Sequence, residues 1–318
     1  MLKLKYKSDR KTLAAVTLYF VSTGLIWYYF PQLHIALQIF AVIFLCMLSF
    51  ICAVIVHNTV HVPIFRSKRA NKVFQIVLSM TYGYPVSPFV IGHNLSHHQH
   101  TGKDQDIART DKLRFKWNFL NQALFFFVTS DSIMKSEWLW IKKMWKEDRR
   151  SWVIQYFLEL IGVGLIKIPL LFFNWPVTLL TIWLPHLWAQ WGIVGTNFWQ
   201  HDGCDVYHEY NHSRNFTNKL LNFLVFNNGY HGLHHNNATL HWSELPEIYE
   251  KEFAPNIHPN LNRNSLFMYL WESCGWPGKR LDYLGNPVVL DKNKQEDSLE
   301  WINHKDYKKN IEHLGAEV

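Results

Sequence analysis

Charged side chains are absent from Thr12 to Phe65 and again from Ile168 to His201, whereas the segments on either side carry them densely. Each uncharged run is long and apolar, near or above the ~20 residues per crossing that a hydrocarbon layer of about 30 Å requires at about 1.5 Å per residue. Four spans are expected, at about 13–30, 33–56, 152–173 and 177–199. They form two hairpins, turned at Pro31-Gln32 and at Asn174-Trp175-Pro176. Open sheets leave backbone groups unsatisfied in lipid, so the spans must be helices. The runs are too long for the apolar core of a signal peptide, and no small-residue cleavage site follows them.

Lys and Arg orient these spans. Lys3, Lys5, Lys7, Arg10 and Lys11 precede the first, fifteen basic residues lie between the hairpins, and neither turn carries one. The positive-inside rule therefore places both termini and the middle segment in the cytoplasm, with aromatic clusters at Trp27–Phe30 and Phe172–Trp175 at the opposite interface. Residues 57–151 and 200–275 then make up a cytosolic helical cap, and 276–318 a polar, peripheral C-terminal extension. The expected class is an all-α integral membrane protein organised as a single domain, in a bacterial inner membrane or the endoplasmic reticulum. Within the middle segment, residues 73–91 are apolar but interrupted by Gly83, Pro85 and Pro88, which suits a buried or membrane-skimming stretch rather than a span. Residues 115–128 and 137–145 mix Trp and Phe with Lys, as helices lying in the interface do.

The net charge of +7 does not indicate nucleic-acid binding, because the cations are spread along the cytosolic face without a reading motif. Attraction to anionic lipid headgroups accounts for them. Four scattered cysteines form neither a disulfide framework nor a Cys-x-x-Cys metal site.

Chemistry enters with histidine. Eight fall in three clusters, His57-x-x-x-His61, His93-x-x-x-His97-His98 and His231-x-x-His234-His235, each adjoining apolar sequence. Residues three and four apart share a helix face, so each cluster is expected to deliver its imidazoles to one spot. Imidazole suits iron, zinc, copper and nickel, and eight exceed what one six-coordinate metal accepts, so two metals are expected. The inferred topology puts all three clusters on the cytosolic side.

The three boxes, in this order, resemble the signature of the membrane fatty acid desaturase and hydroxylase superfamily over residues 54–247. In structurally known acyl-CoA members a ninth histidine completes the site, and an asparagine four residues before it acts through a water. Asn197-Phe-Trp-Gln-His201 matches that spacing. The resemblance thus implies metal ligation by His57, His61, His93, His97, His98, His201, His231, His234 and His235, with Asn197 contributing through water. It further implies two iron ions, O2 as co-substrate, and removal of two hydrogens from an acyl chain carried by a lipid or a thioester. The second box has three residues between its first histidine and the pair, as in acyl-lipid desaturases. The third begins with His231 rather than the Gln of front-end enzymes.

No His-Pro-Gly-Gly heme signature and no flavin or nicotinamide fingerprint occurs, so electrons are expected from a separate ferredoxin or cytochrome b5. Trp183, Trp188, Trp191 and Trp199 are candidates to shape an acyl tunnel. Glu159, about two turns into the third span, is a functional candidate as an intramembrane carboxylate, and Lys167 is expected to snorkel to the outer interface. Partners for the ligand imidazoles are sought among His100, Asp104, Asp106, Asp202, His208, Glu209, His212 and His241. Three other readings stay open: a lipid or carotenoid hydroxylase or ketolase, a zinc membrane hydrolase, and a non-enzymatic metal-binding membrane protein.

Overall fold

The computed structural model describes residues 3–291 and 296–303, and helices dominate them. Three helical stretches are long and apolar enough to cross a membrane: Lys7–Gln32, Ile35–His61 and Arg150–His201, of 26, 27 and 52 residues. The first is mostly α1 (Arg10–Tyr29), closed by a tight turn at Phe30–Gln32, and the second is α2 (Ile35–His61). The third joins α7 (Arg150–Thr178) through a π-wound turn at Leu179–Trp183 to α8 (Leu184–His201). It is not one straight rod. Asn174, at φ −158° and ψ 87°, leaves helical geometry between Pro169 and Pro176, where the turn is expected. Much of the apolar surface of these stretches is not covered by protein: Phe172 is 86 % exposed and Phe173 79 %. Apolar surface of this kind is stable against lipid, not water.

Chain contacts divide the molecule into two units, residues 3–90 with 141–193, and residues 91–140 with 194–303. In the first, α1 packs on α2, and α3 (Lys68–Tyr82) packs on both α2 and α7. Its core lies along the second half of α2, where Leu45, Cys52, Ala53, Val54 and Ile55 are fully enclosed. Ser67 caps the start of α3 by accepting from Ala70 N–H, and Gly83 ends it in the left-handed region at φ 76°. The Gly83 Cα lies against the His186 ring, so a Cβ there would fall 2.3 Å from the imidazole Cγ. The chain then turns into α4 (Ser87–Phe89) and a π-wound stretch, Val90–His97.

The second unit contains α5 (His98–His100), most of α6 (Asn118–Lys146), the end of α8, and α9 (Lys219–Leu224), α10 (His231–Asn236), α11 (Leu245–Ile248) and α12 (Leu266–Ser273). Strands β1 (Asn215–Phe216) and β2 (Asn262–Arg263) pair in parallel. Tyr230, Leu233, Leu245, Tyr249, Phe253, Ile257 and Leu261 form a core around α10, and Leu113, Phe125 and Phe198 form another between α6 and α8.

Several expectations need correction. The two interfacial helices anticipated at 115–128 and 137–145 are one continuous helix, α6; in its polar middle Thr129, Ser130 and Ser136 bond their hydroxyls back to preceding carbonyls instead of breaking the helix. Part of the C-terminal extension, residues 296–303, is docked and not peripheral. Trp301 and Ile302 are buried, and the Asp297 carboxylate accepts hydrogen bonds from Arg109, Lys112 and Ser132. The charged run at 305–309 lies outside the described residues. Lys167 does not reach outward; its ammonium donates to the Gly83 carbonyl at 3.1 Å and lies 4.5 Å from the Trp183 ring centre.

Candidate metal centre

The box histidines and His201 sit on four kinds of local structure. His57 and His61 sit one turn apart on the last turns of α2, both buried, with ring centres 5.6 Å apart. His93 and His97 lie in the π-wound stretch and His98 begins α5. The helix that carries these three starts at Ser87, whose backbone N–H and hydroxyl both donate to the fully buried Glu159 carboxylate, at 2.8 and 2.9 Å. Gln155 Nε2 adds a third donor at 2.8 Å. Glu159 therefore acts as a helix cap fixed within the bundle and does not line a tunnel. His201 ends α8, and His231, His234 and His235 ride on α10.

Within the second unit the imidazoles fall into two sets. His97, His201, His231 and His235 point their Nε2 atoms at one another, with separations of 3.2 Å for His97 to His201, 2.8 Å for His201 to His231 and 3.1 Å for His231 to His235. Their protonation is set from behind. His97 Nδ1 donates to the Asp106 carboxylate at 3.0 Å, and His201 Nδ1 to the His212 carbonyl at 3.0 Å. Thr101 gives its hydroxyl proton to the His97 carbonyl at 2.8 Å and lies 3.4 Å from His235 Nδ1, whose proton it accepts. A neutral imidazole carries one N–H, so each of these three rings presents a bare Nε2 lone pair to the centre. Bare lone pairs about 3 Å apart repel unless a cation lies between them. At metal–nitrogen distances of about 2.1 Å, ligands at right angles lie about 3 Å apart, so the set fits one metal ion. Burial, and then the neighbouring His98, His231, His201 and His97, hold His235 well below the ordinary imidazole range, which keeps it in the neutral, ligating form.

The second set is His93, His98 and His234. His98 Nε2 lies 3.1 Å from both His93 Nε2 and His234 Nε2, and one proton cannot bridge both contacts. The second and third boxes are thus each divided between two spots, contrary to the expectation that each box serves one. The π-winding is the physical reason: with about 4.4 residues per turn, His93 and His98, five apart, become neighbours and His97 turns away. In the third box, α-helical spacing keeps His231 with His235 and sends His234 to the other set.

Other anticipated residues sort clearly. Asp106 supports His97 and is itself held by the N–H groups of Gly102 and Ala108, both at 2.9 Å. His212 contributes its carbonyl to His201 and anchors its own ring on Asn236 at 2.9 Å. Asp202 instead pairs with Arg280, and His241 bonds Ser243. Asn197 donates its amide to the Ala108 carbonyl at 2.8 Å. Trp183 and Trp188 are exposed on the surface, while Trp199 packs on the Leu113, Phe125 and Phe198 core. Thr101, Arg214 and Asn215 were not anticipated. Arg214 bonds the carbonyls of Trp199 and Asp202 and the Tyr269 hydroxyl, and Asn215 accepts from Gly232 N–H inside the third box. The visible signal was a polar run, Asn211 to Asn215, every residue of which is buried.

Compared with known proteins, residues 33–264 match the fatty acid desaturase family model. No curated protein matches the chain. The match covers most of the sequence, including all three histidine boxes and His201, and the chain belongs to the fatty acid desaturase family.

Proposed function

We propose that this fatty acid desaturase family member inserts a double bond into an acyl chain, using O2 at a di-iron centre held by histidine. The observation that carries the reading is the pair of convergent imidazole sets, with lone pairs pinned inward by Asp106, the His212 carbonyl and Thr101. His97, His201, His231 and His235 hold one metal. His93, His98 and His234 hold the other, and the family resemblance makes His57 and His61, presented together at the end of α2, ligands as well. Four imidazoles would fill a tetrahedral zinc site with no position for a hydrolytic water, whereas iron, accepting six ligands, keeps open positions. Two bound irons supply the O2 chemistry that amino-acid side chains lack.

The remaining work belongs to the chain. Asp106 and the His212 carbonyl keep their imidazoles oriented and in the ligating tautomer. Asn197, its amide nitrogen committed to Ala108, has its carbonyl oxygen left to accept from a bridging water. The burial of His97, His201, His231 and His234 limits access of water and stray reductant. The 52-residue stretch, broken at Asn174, supplies two spans, so four spans form two hairpins with both termini cytoplasmic. The acyl substrate, on a lipid or a thioester, enters from the bilayer. Electrons come from a separate acidic carrier, a ferredoxin or cytochrome b5, attracted to the basic cytosolic face.

Expression in a host of defined lipid profile, with mass-spectrometric location of any new double bond, tests the reading together with the metal content of the purified protein. A new double bond and two irons per chain are expected. A new hydroxyl or keto group would replace desaturation by the sister chemistry, and one zinc per chain would overturn the di-iron assignment.

A further inference from the structure

The second unit carries a surface that the chemistry does not use. Strands β1 and β2 run parallel with Asn215 opposite Asn262, and three residues beyond each partner a helix begins: α9 after Asn218 and α12 after Ser265. Both caps are built. Asn218 accepts from Leu221 N–H at 3.0 Å and Ser265 from Met268 N–H at 3.2 Å, so the two helices leave the strands at the same register. Each turns large apolar side chains outward: Leu220 is 69 % exposed and Phe223 64 % on α9, and Phe267 72 % and Trp271 70 % on α12.

The surface continues beyond α12. Asn118, at the start of α6, donates to the Ser273 carbonyl at 2.9 Å, and the exposed rings of Trp117 and Trp276 meet with centres 4.6 Å apart. With aromatic side chains covering about 150–250 Å² each, these six residues present on the order of 800 Å² of apolar surface. The largest patch on a typical soluble monomer is about 300–600 Å².

We infer that the α9–α12 face is an interfacial membrane anchor, seated at the boundary of headgroups and acyl chains. Several observations favour lipid as its occupant. Helices of six and eight residues are far too short to span a bilayer but suit lying in its surface. The exposed residues are Trp, Phe and Leu, with the exposed cations Lys116 and Lys219 beside them, the mixture that settles at a membrane–water boundary. Helix α6, whose first turn joins the patch, ends at Lys146, just before the 52-residue membrane-length stretch that begins at Arg150. The inference needs neither bound iron nor catalytic activity, so it stands or falls apart from the proposed reaction.

The test uses full-length protein in nanodiscs of phosphatidylcholine and phosphatidylglycerol, spin-labelled at one introduced cysteine: Phe223→Cys, Phe267→Cys or Trp271→Cys. Tyr207→Cys, at an exposed position of the same unit, serves as the aqueous reference, and signal from labelled wild-type protein is subtracted. These sites are on the surface, and an unchanged helical circular dichroism spectrum shows that labelling leaves the fold intact. At 223, 267 and 271 the ratio of collisions with O2 to collisions with a water-soluble nickel chelate is expected to be severalfold higher than at 207. A ratio equal to that at 207 would overturn the inference. So would low collision rates with both reagents, which would mean that protein, a second copy or a partner, covers the face.

Discussion

Replacing Asp106 by Asn would separate a structural carboxylate from one that sets metal affinity. Asp106 and His97 are both almost wholly enclosed, and every group around the carboxylate is a donor: His97 Nδ1 at 3.0 Å, Gly102 N–H at 2.9 Å and Ala108 N–H at 2.9 Å. Asparagine has the same shape but must place its NH2 on one side. Toward His97, the NH2 donates to Nδ1 and drives the imidazole proton to Nε2, where it blocks the lone pair aimed at the centre. Toward Ala108, two donors face each other at a cost of about 1–3 kcal/mol. Loss of such a supporting partner typically lowers metal affinity ~10–100-fold, or about 1.4–2.7 kcal/mol. Chelator competition and metal analysis on purified protein should show the site of His97, His201, His231 and His235 weakened by that factor. The site of His93, His98 and His234 should keep its metal, and the helical circular dichroism should not change. Wild-type affinity at both sites in Asp106→Asn would refute the claim that the carboxylate selects the ligating tautomer.

Three further outcomes follow from the first unit and the C-terminal segment. Glu159→Leu strands the Ser87 N–H, the Ser87 hydroxyl and Gln155 in a buried site and should destabilise by about 1–3 kcal/mol for each donor left unsatisfied; Glu159→Gln, which keeps an acceptor, should lose less, and equal thermal midpoints for both and wild type would contradict the capping role. Gly83→Ala places a Cβ 2.3 Å from the His186 ring at φ 76° and should lower the unfolding midpoint markedly, while Gly24→Ala, with nothing within 4 Å, should leave it unchanged or raise it. At Asp297 burial alone would raise the carboxyl, but hydrogen bonds from Lys112 and Ser132 and the charges of Lys112 and Arg109 hold it below the usual range. A depressed folded-state value means stability present above the unfolded value and lost as pH falls through the folded one. The stability gap between wild type and Asp297→Asn should therefore be open at neutral pH and close in acid; a gap independent of pH would rule this linkage out.

Much of this protein is written directly in its order of residues. The uncharged runs predict membrane helices because crossing lipid is a matter of length and composition, and long apolar helices lie over those runs in the structure. The histidine boxes are visible because ligand type and short spacing are local properties. The break near Asn174 is announced by the prolines on either side of it. Local pattern could not say how the imidazoles are shared. His93 and His97 occupy one face of any α-helix, and only the π-winding of Val90–His97 separates them and brings His93 to His98. Nor could it pair Asp106 with His97, lay the Asp297 carboxylate on Lys112 from 185 positions away, or pair the two short strands from which α9 and α12 depart. Composition and short-range spacing are carried by neighbours in the chain, whereas tautomers, ion pairs and exposed faces depend on which distant groups meet, and packing alone decides that.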